Sequence, residues 1–275
     1  MSSAPTSLNF LITGAGRGIG RGLSRLLLQR GHRVFLLDSN AEELQHTVTS
    51  VLAEIPRTRY SHSLTDLRKP SEILSAVAQV AEFFDNKLDV LVNNAAVTSA
   101  VGGSDFESLS LEDWTASLET NLTAPFLLSQ ACLPMLKARG QQNTSAGASG
   151  GSIIHMSSTR AHQSEPNSEP YAATKAGLLG LTHSMASSLA PLGITVNAIL
   201  PGWINVANES KEADERGARW EDGLTEADHK WHFSGRVGKV KDIAAAVEFL
   251  AREKFVNGQE LVVDGGVTKK MVYDE

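Results

Sequence analysis

The feature that most constrains the fold is a glycine-rich turn between an apolar run and a leucine-rich segment near the start of the chain. Leu8–Thr13 is a short apolar run typical of a buried parallel strand. Glycines follow at positions 14, 16, 18 and 20, and leucines then recur at helical spacing over 21–30 until Gly31. In such a turn the backbone and the helix N-terminus can approach a pyrophosphate. The sequence therefore predicts a dinucleotide-binding turn rather than a simple tight turn. The predicted contact residues are Gly14, Gly16, Arg17, Gly18, Ile19 and Gly20.

An acidic residue follows the glycine turn at the spacing that an adenosine ribose requires. The second predicted strand, Arg33–Asp38, ends in a carboxylate eighteen residues after Gly20. The negative charge of Asp38 would repel a 2′-phosphate, which favours NAD as the cofactor. Arg17 argues for NADP, because a guanidinium at the turn could bind that phosphate, although it could also be a solvent-exposed side chain. NAD is the preferred prediction and NADP stays possible.

Strand-like and helix-like segments alternate along the whole chain. Further strands are predicted at 59–63, 88–93, 152–157, 194–200 and 260–264, the first of them mainly from the alternation. Further helices are predicted at 41–54, 70–84, 111–137, 171–189 and 241–251. Strands separated by helices imply crossovers between parallel strands. The predicted fold class is α/β, a single-domain Rossmann-like doubly wound parallel sheet with helices on both faces, covering residues 1–275 because no linker interrupts 8–265.

Polar and special residues gather where the predicted strands end. Ligands of open parallel sheets bind beyond the carboxyl ends of the strands. The residues near those ends are Thr13, Asp38, Asp66, Asn93, Ser158 and Pro201. Their common position predicts one site at this edge of the sheet.

A tyrosine and a lysine four residues apart indicate proton-transfer chemistry at that edge. Tyr171 and Lys175 lie one turn apart on one face of a predicted helix, and Ser158 precedes the tyrosine by thirteen residues. Free tyrosine has a pKa near ~10. A nearby ammonium stabilises the phenolate, so we expect Lys175 to lower the pKa of Tyr171 towards the working pH. A surface helix pair is the alternative for the two residues taken alone.

Composition excludes several other classes of function. The formal net charge is −6 and no basic tract is present, so nucleic acid is not an expected partner. No apolar run reaches membrane-spanning length, and the first residues lack the pattern of a signal peptide. The single cysteine, Cys132, suits a reducing compartment and is expected to be a buried bystander. A cytoplasmic location is the resulting expectation.

Two stretches do not fit the alternation. Residues 141–151 are small and polar, which predicts a flexible loop. Residues 203–235 follow a strand end, and the charged part from Asn205 onwards carries Trp220 and Trp231. This segment is predicted to be a substrate-binding lid, with a surface helical hairpin pinned by the tryptophans as an equal alternative. His229 and His232 lie in it without a cysteine or an acidic cluster, so no metal site is expected.

The combined motifs resemble the short-chain dehydrogenase/reductase family over residues 8–270. The resemblance rests on the glycine turn, Asp66-Leu67, Asn93-Asn-Ala-Ala96, Asn121, Ser158, Tyr171 with Lys175, and Pro201-Gly202. Membership would imply NAD(P) binding, hydride transfer between an alcohol and a carbonyl, a small-molecule substrate and a homodimer or homotetramer. The alternatives are a different step on the same fold, such as epimerisation, dehydration or cyclisation, and a non-catalytic cofactor-binding protein.

The resemblance also implies roles for individual residues. Tyr171 would be the acid/base, Lys175 would hold the nicotinamide ribose, and Ser158, rather than its neighbour Ser157, would bind the substrate oxygen. Asn121 would kink its helix and hold a water of the proton relay. The remaining cofactor contacts would come from Asp66, Leu67, Asn93, Asn94, Ala95, Pro201, Gly202 and Ile204. Ala96 departs from the glycine usual at its position, which makes a positive φ doubtful there.

The residues after Ser158 are more polar than is usual in the family and bear on the substrate. Arg160 and Glu165 lie on the segment leading to Tyr171, and Trp203 follows Pro201-Gly202. A charged pair at this end of the cleft would suit a polar, hydroxylated or sugar-like alcohol, with a structural ion pair as the equal alternative. Trp203 could supply an apolar wall of the pocket. The sequence does not identify the substrate itself.

Overall fold

The computed structural model describes residues 7–98, 101, 105–140 and 150–271, with the side chains of 138–140 left out. Within these ranges one parallel sheet has the strand order β3-β2-β1-β4-β5-β6-β7. The strands are β1 Asn9–Thr13, β2 Arg33–Asp38, β3 Tyr60–Leu64, β4 Val90–Asn93, β5 Ser152–Met156, β6 Thr195–Pro201 and β7 Glu260–Val263. The order reverses between β1 and β4, which confirms the predicted doubly wound sheet.

Helices cover both faces of the sheet. Their bounds are α1 Gly18–Gln29, α2 Ala41–His46, α3 Pro70–Phe83, α4 Leu111–Leu118, α5 Ala124–Gly140, α6 Glu169–Leu189, α7 Lys211–Glu215, α8 Glu226–Lys230 and α9 Val240–Arg252. Leu27 of α1 and Val247 of α9 belong to the core on one face. Val80 of α3 and Leu128 of α5 belong to the core on the other. Each face buries an apolar layer, which fixes the orientation of the strands and of the loops at their carboxyl ends.

Two predicted helices differ from expectation by containing a π-helical turn. Thr47–Val51 continues α2 in this form, and Glu119–Thr123 joins α4 to α5. The helix predicted at 111–137 is therefore two α-helices with a wider turn between them. The helix α1 starts at Gly18 rather than at Arg21, because the last glycines of the turn already form its first residues.

The segment after β6 contains the short helices α7 and α8 and is held to the body by the indole of Trp220. The indole N–H donates to the carbonyl of Gly238 at 3.3 Å, and the ammonium of Lys239 lies 3.7 Å from the ring centroid. The side chain of Asn205 donates to the Trp220 carbonyl at 2.7 Å. Trp231, in contrast, is half exposed. The segment thus contains two short helices, and Trp220 rather than Trp231 anchors it.

Three further sequence predictions concern individual segments. Cys132 is fully buried in the core formed by α3 and α5, and burial raises the pKa of its thiol to about 12. The flexible loop predicted at 141–151 lies outside the described residues except for its two final glycines. In the described part of the chain, every helix is too short or too polar to cross a lipid bilayer.

Candidate active site

A cleft of about 1540 Å³ opens at the carboxyl ends of the strands. Most of the predicted site residues line it. They are Gly14, Arg17, Gly18, Ile19, Asp38, Asp66, Leu67, Asn94, Ala95, Ser158, Arg160, Glu165, Tyr171, Lys175, Pro201, Gly202, Trp203 and Ile204. Gly16, Gly20, Asn93 and Asn121 do not line the cleft and lie behind its wall. The folded chain therefore brings residues from both halves of the sequence to one surface.

The glycine turn forms a cradle that side chains would fill. Gly14 and Gly18 have φ values of +64° and +61°, the left-handed region that favours glycine. A Cβ atom on Gly14 would lie 2.8 Å from the Cα of Ala95, and one on Gly20 would lie 2.0 Å from the carbonyl oxygen of Gly14. A backbone this close-packed, leading into the N-terminus of α1, fits the pyrophosphate of a dinucleotide.

A network of side-chain bonds ties the glycine turn to the end of β4. The Thr13 hydroxyl accepts the backbone N–H groups of Asn94 and Ala95, each at 2.9 Å. The Asn94 amide donates back to the carbonyl of Thr13 at 2.9 Å. Asn93 faces the opposite way, where its amide lies 3.3 Å from the Ser129 hydroxyl. Asn94 and Ala95 are thus presented to the cleft, whereas the Asn93 side chain supports the wall from inside.

Asp38 is held by two backbone amides, one in the glycine turn and one just after β2. Its carboxylate accepts the N–H of Gly16 and the N–H of Asn40, each at 2.8 Å. Arg17 is exposed at the N-cap of α1, where its side chain makes no capping hydrogen bond. Both residues line the cleft, so the acid that favours NAD and the cation that favours NADP share one edge of it.

Arg68, which the sequence analysis did not select, also lies at this edge. Its guanidinium donates to the carboxylate of Asp66 at 3.1 and 3.0 Å. Hydrogen bonding to Arg68 holds the pKa of Asp66 below its usual value. The cue was available in the sequence, since Arg68 directly follows Asp66-Leu67. Its exposure to the cleft depends on how the loop after β3 turns, which no local pattern specifies.

The three predicted catalytic side chains converge at the other end of the cleft. The Lys175 ammonium, 2% exposed, donates to the carbonyl of Met156 at 2.7 Å and lies 5.2 Å from the Tyr171 ring centroid. Ser158 caps a short 3-10 turn, and hydrogen bonding by its side chain acts to lower the pKa of Tyr171. The hydroxyl of Ser157 instead donates to the carbonyl of Lys175 at 2.8 Å. Ser158 is therefore the serine whose hydroxyl meets the phenol.

The electrostatics of the pair differ from the sequence-based expectation. Burial raises the pKa of Tyr171, while the hydrogen bond from Ser158 and the charge of Arg160 oppose that rise. Burial also lowers the pKa of Lys175 to about 8. The pKa of Tyr171 is thus raised rather than lowered as predicted, because the effect of burial exceeds that of the two groups that oppose it.

Asn121 lies in the π-helical turn between α4 and α5. Its side-chain carbonyl accepts the N–H of Val97 at 2.7 Å, and its amide lies 3.2 Å from the hydroxyl of Thr174. The wider turn interrupts the helix at the position where the resemblance implies a kink. Asn121 thereby connects the loop after β4 to the helix that carries Tyr171. Ala96, in that loop, does not adopt a positive φ, which answers the doubt raised by its sequence.

The segment after β6 closes the opposite wall of the cleft. A Cβ atom on Gly202 would lie 2.7 Å from the Cβ of Asp264, so only glycine fits there. The Trp203 side chain is 47% exposed, and its ring lies 6.4 Å from the ring of His232. His232 donates from Nδ1 to the carbonyl of Asp228 at 3.0 Å, and its buried Nε2 has no partner among the described residues. His232 also lines the cleft, although its sequence context predicted no role for it.

Arg160 and Glu165 form an ion pair at the mouth of the cleft. The Arg160 side chain is 25% exposed and that of Glu165 is 68% exposed, so the pair is not buried. Both residues line the cleft near Tyr171. In the described ranges no group of three or more histidine, cysteine or acidic side chains is arranged to hold a metal ion.

Comparison with known proteins assigns the chain to a family. A family model described as Enoyl-(Acyl carrier protein) reductase matches residues 14–268. An uncharacterized oxidoreductase of Thermotoga maritima is 37% identical over 271 residues, which cover 96% of this chain and 97% of that protein. Gluconate 5-dehydrogenase of Gluconobacter oxydans is 32% identical, with 94% of this chain and 93% of that protein covered. A solved apo SCOR enzyme from Clostridium thermocellum shares 33% identity and a TM-score of 0.78, with 98% and 96% covered.

The chain belongs to the short-chain dehydrogenase/reductase family. It is an NAD(P)-dependent oxidoreductase that acts on CH–OH or carbonyl groups. The resemblance predicted from the motifs is thereby confirmed.

Proposed function

We propose that the protein interconverts an alcohol and a carbonyl compound with Tyr171 as the group that exchanges a proton with the substrate oxygen. The observation that carries the proposal is the convergence of Ser158, Tyr171 and Lys175 at one end of a cleft that has a glycine cradle at the other. Ser158 would hold the substrate oxygen next to the phenol, and Lys175 would orient the cofactor ribose. Asn121 would hold the loop after β4 and the helix α6 in a fixed relative position.

The cofactor would bind along the cradle with its adenosine beside Asp38 and Asp66. A nicotinamide dinucleotide supplies or accepts the hydride that accompanies the proton transfer. The turn from Gly14 to Gly20 would contact the pyrophosphate, and Leu67, Asn94 and Ala95 would line the adenosine side. Pro201, Gly202 and Ile204 would border the nicotinamide. NAD is the proposed cofactor, because the charge of Asp38 opposes a 2′-phosphate.

The proposed substrate is a polar, hydroxylated molecule. Support comes from the charged pair Arg160–Glu165 and from His232 in the lining of the same end of the cleft. A relative of the chain is named as a dehydrogenase of gluconate, a polyhydroxy acid. The segment 203–235 would act as the lid over this substrate, with Trp203 as an apolar wall and Trp220 as the fixed base. A cytoplasmic homodimer or homotetramer completes the proposal.

The substitution Tyr171→Phe tests the proposed role of the phenol. We expect turnover to fall by about 10²–10⁴-fold, the usual contribution of a general acid/base, while NAD binding persists. Turnover is measured from nicotinamide absorbance with a panel of polyols and sugar acids, and NAD binding from tryptophan fluorescence. Turnover within about tenfold of the unsubstituted protein would contradict the assignment.

A further inference from the structure

The guanidinium of Arg160 lies beside the ring of Tyr171. Its central carbon is 6.0 Å from the ring centroid. The position is fixed from the backbone, because the Ser158 hydroxyl accepts the Arg160 N–H at 3.2 Å within a short 3-10 turn. The same serine therefore contacts the phenol and anchors the residue that carries the neighbouring charge.

Two cations flank the phenol, and they differ in how firmly they hold their charge. The ammonium of Lys175 is buried, and its lowered pKa of about 8 makes it increasingly neutral in mildly alkaline solution. The second cation is the guanidinium of Arg160, and an arginine side chain is a more permanent charge than a lysine ammonium. Above pH 8, Arg160 is thus the more persistent positive charge near Tyr171.

We propose that Arg160 is a positioning residue whose fixed charge stabilises the phenolate of Tyr171, and that Glu165 limits this stabilisation by pairing with the guanidinium. The proposal rests on the proposed role of Tyr171 as acid/base. It is supported by the opposition of Arg160 to the burial-induced rise in the pKa of Tyr171. It also explains why the polar residues after Ser158 include a paired arginine.

Other titratable groups surround Tyr171 on the elements packed against α6 or across the cleft. They are Glu169 and Lys175 on α6, His155 on β5, Glu119 in the π-helical turn, His162 in the loop after β5, and Asp228 and His232 on the opposite wall. His155 is neutral, since burial lowers its pKa to about 3. His162 pairs with Glu260, and the Asp228 carboxylate is bound by Thr225. The charge of Arg160 opposes the rise in the Tyr171 pKa that burial causes.

A substrate-independent titration tests the proposal. Tyrosinate absorbance is followed against pH in pairs of proteins that differ only by Tyr171→Phe, so that the difference spectrum reports Tyr171 alone. In the Arg160→Gln background we expect the midpoint to move to higher pH, with roughly three- to tenfold less phenolate at a fixed alkaline pH. In the Glu165→Gln background we expect a shift to lower pH. Arg160→Lys should restore most of the original midpoint, and Arg252→Gln, which removes a distant exposed cation, should leave it unchanged.

The results separate this inference from its alternatives. An unchanged midpoint in Arg160→Gln would overturn it, whatever the variant does to stability. A change confined to the Michaelis constants of acidic substrates would assign Arg160 to substrate binding instead. A loss of thermal stability without a shift in midpoint would make the pair structural. Retained turnover in Tyr171→Phe would overturn the proposed function, whereas the titration would still report whether Arg160 stabilises the phenolate.

Discussion

Burial acts on Tyr171 and Lys175 in the same sense, because it favours the uncharged form of each. The pKa of the phenol rises and that of the ammonium falls. Two ionisable groups of opposite type that lose solvent together do not stabilise each other's charges unless their attraction exceeds both desolvation costs. In this site the hydrogen bond from Ser158 and the charge of Arg160 oppose the rise in the Tyr171 pKa that burial causes. The charge state of Tyr171 therefore depends on Ser158 and Arg160 as well as on burial.

His155 is expected to make stability depend on pH in mildly acidic solution. The folded pKa of about 3 lies below the ordinary value of 6.5, because the ring is buried. Above pH 6.5 the ring is neutral in both states and contributes no pH dependence. As pH falls below 6.5, the unfolded chain takes up a proton and the folded chain does not. Stability should therefore fall by up to about 1.4 kcal/mol per pH unit from this residue alone.

Urea unfolding between pH 7 and pH 5 measures this dependence. The variant His155→Gln should flatten the curve. Burial lowers the pKa of His32 and His62 as well, so a residual slope of the same sign is expected. Equal slopes for His155→Gln and the unsubstituted protein would refute the assignment.

Asp38 is expected to set the choice between NAD and NADP. The substitution Asp38→Asn removes the repelling charge but keeps a side-chain oxygen that can accept the N–H of Gly16. It should reduce the preference for NAD by roughly tenfold while leaving the turn folded. Michaelis constants for both cofactors provide the measurement. A native preference for NADP would show instead that Arg17 dominates at this edge.

At the scale of elements, the strands and their ends were predictable and the wider helical turns were not. Buried strands such as β1 and β4 are built on continuous apolar runs, and a glycine turn or a polar residue marks where each stops. A π-helical turn changes the hydrogen-bond spacing from i+4 to i+5 within a segment whose residues still favour a helix. The pattern of 111–137 therefore shows one helix, and the interruption at Asn121 depends on its contacts with Val97 and Thr174.

Residues that line the cleft could be predicted where a sequence motif specifies them. Residues whose position depends on packing were missed. The glycine turn and the Tyr171–Lys175 spacing carry their chemistry in adjacent positions of the sequence. Arg68 and His232 enter the cleft because loops and short helices fold over it. The sign of the Tyr171 pKa shift was predicted wrongly for the same reason, since burial is a property of the assembled wall.

The glycine turn permits a matched test of steric fit against backbone strain. Gly14 and Gly31 both have positive φ values, of 64° and 97°, but only Gly14 has neighbours within 4 Å of an added Cβ. Gly31→Ala should cost about 1–2 kcal/mol of stability from backbone strain. Gly14→Ala should cost a further ~1–3 kcal/mol from overpacking against Ala95 and should weaken cofactor binding. Denaturant unfolding and fluorescence titration with NAD compare the two variants. Equal losses of stability in the two variants would indicate that backbone strain alone explains the need for glycine at position 14.

At the scale of the whole molecule, α6 presents a face that the described residues leave uncovered. Ala173, Ala176 and Gly180 are exposed on this helix, and a Cβ atom on Gly180 would meet nothing within 4 Å. Gly177 differs, because an added Cβ would lie 2.9 Å from the side chain of Leu122 in the same chain. Of these four small residues of α6, one thus packs internally and three leave room for another surface.

Self-association through this face is expected and can be interrupted without disturbing the fold. Gly180→Arg should leave the circular dichroism spectrum unchanged and reduce the mass measured by light scattering to that of a monomer. Ala78→Arg, at an exposed position of α3, is the matched control and should retain the assembled mass. A monomeric unsubstituted protein at micromolar concentration would refute the expectation.

The burial of Cys132 has a practical consequence for attaching a probe to the segment 203–235. It is the only cysteine of the chain, its side chain is fully enclosed, and its thiol pKa is raised to about 12. Such a thiol does not react with maleimides at neutral pH. A cysteine introduced on the outer face of α8, for example by Lys230→Cys, would therefore carry a single fluorophore in an otherwise unaltered protein. The removal of native cysteines, which usually precedes such labelling, is therefore unnecessary in this protein.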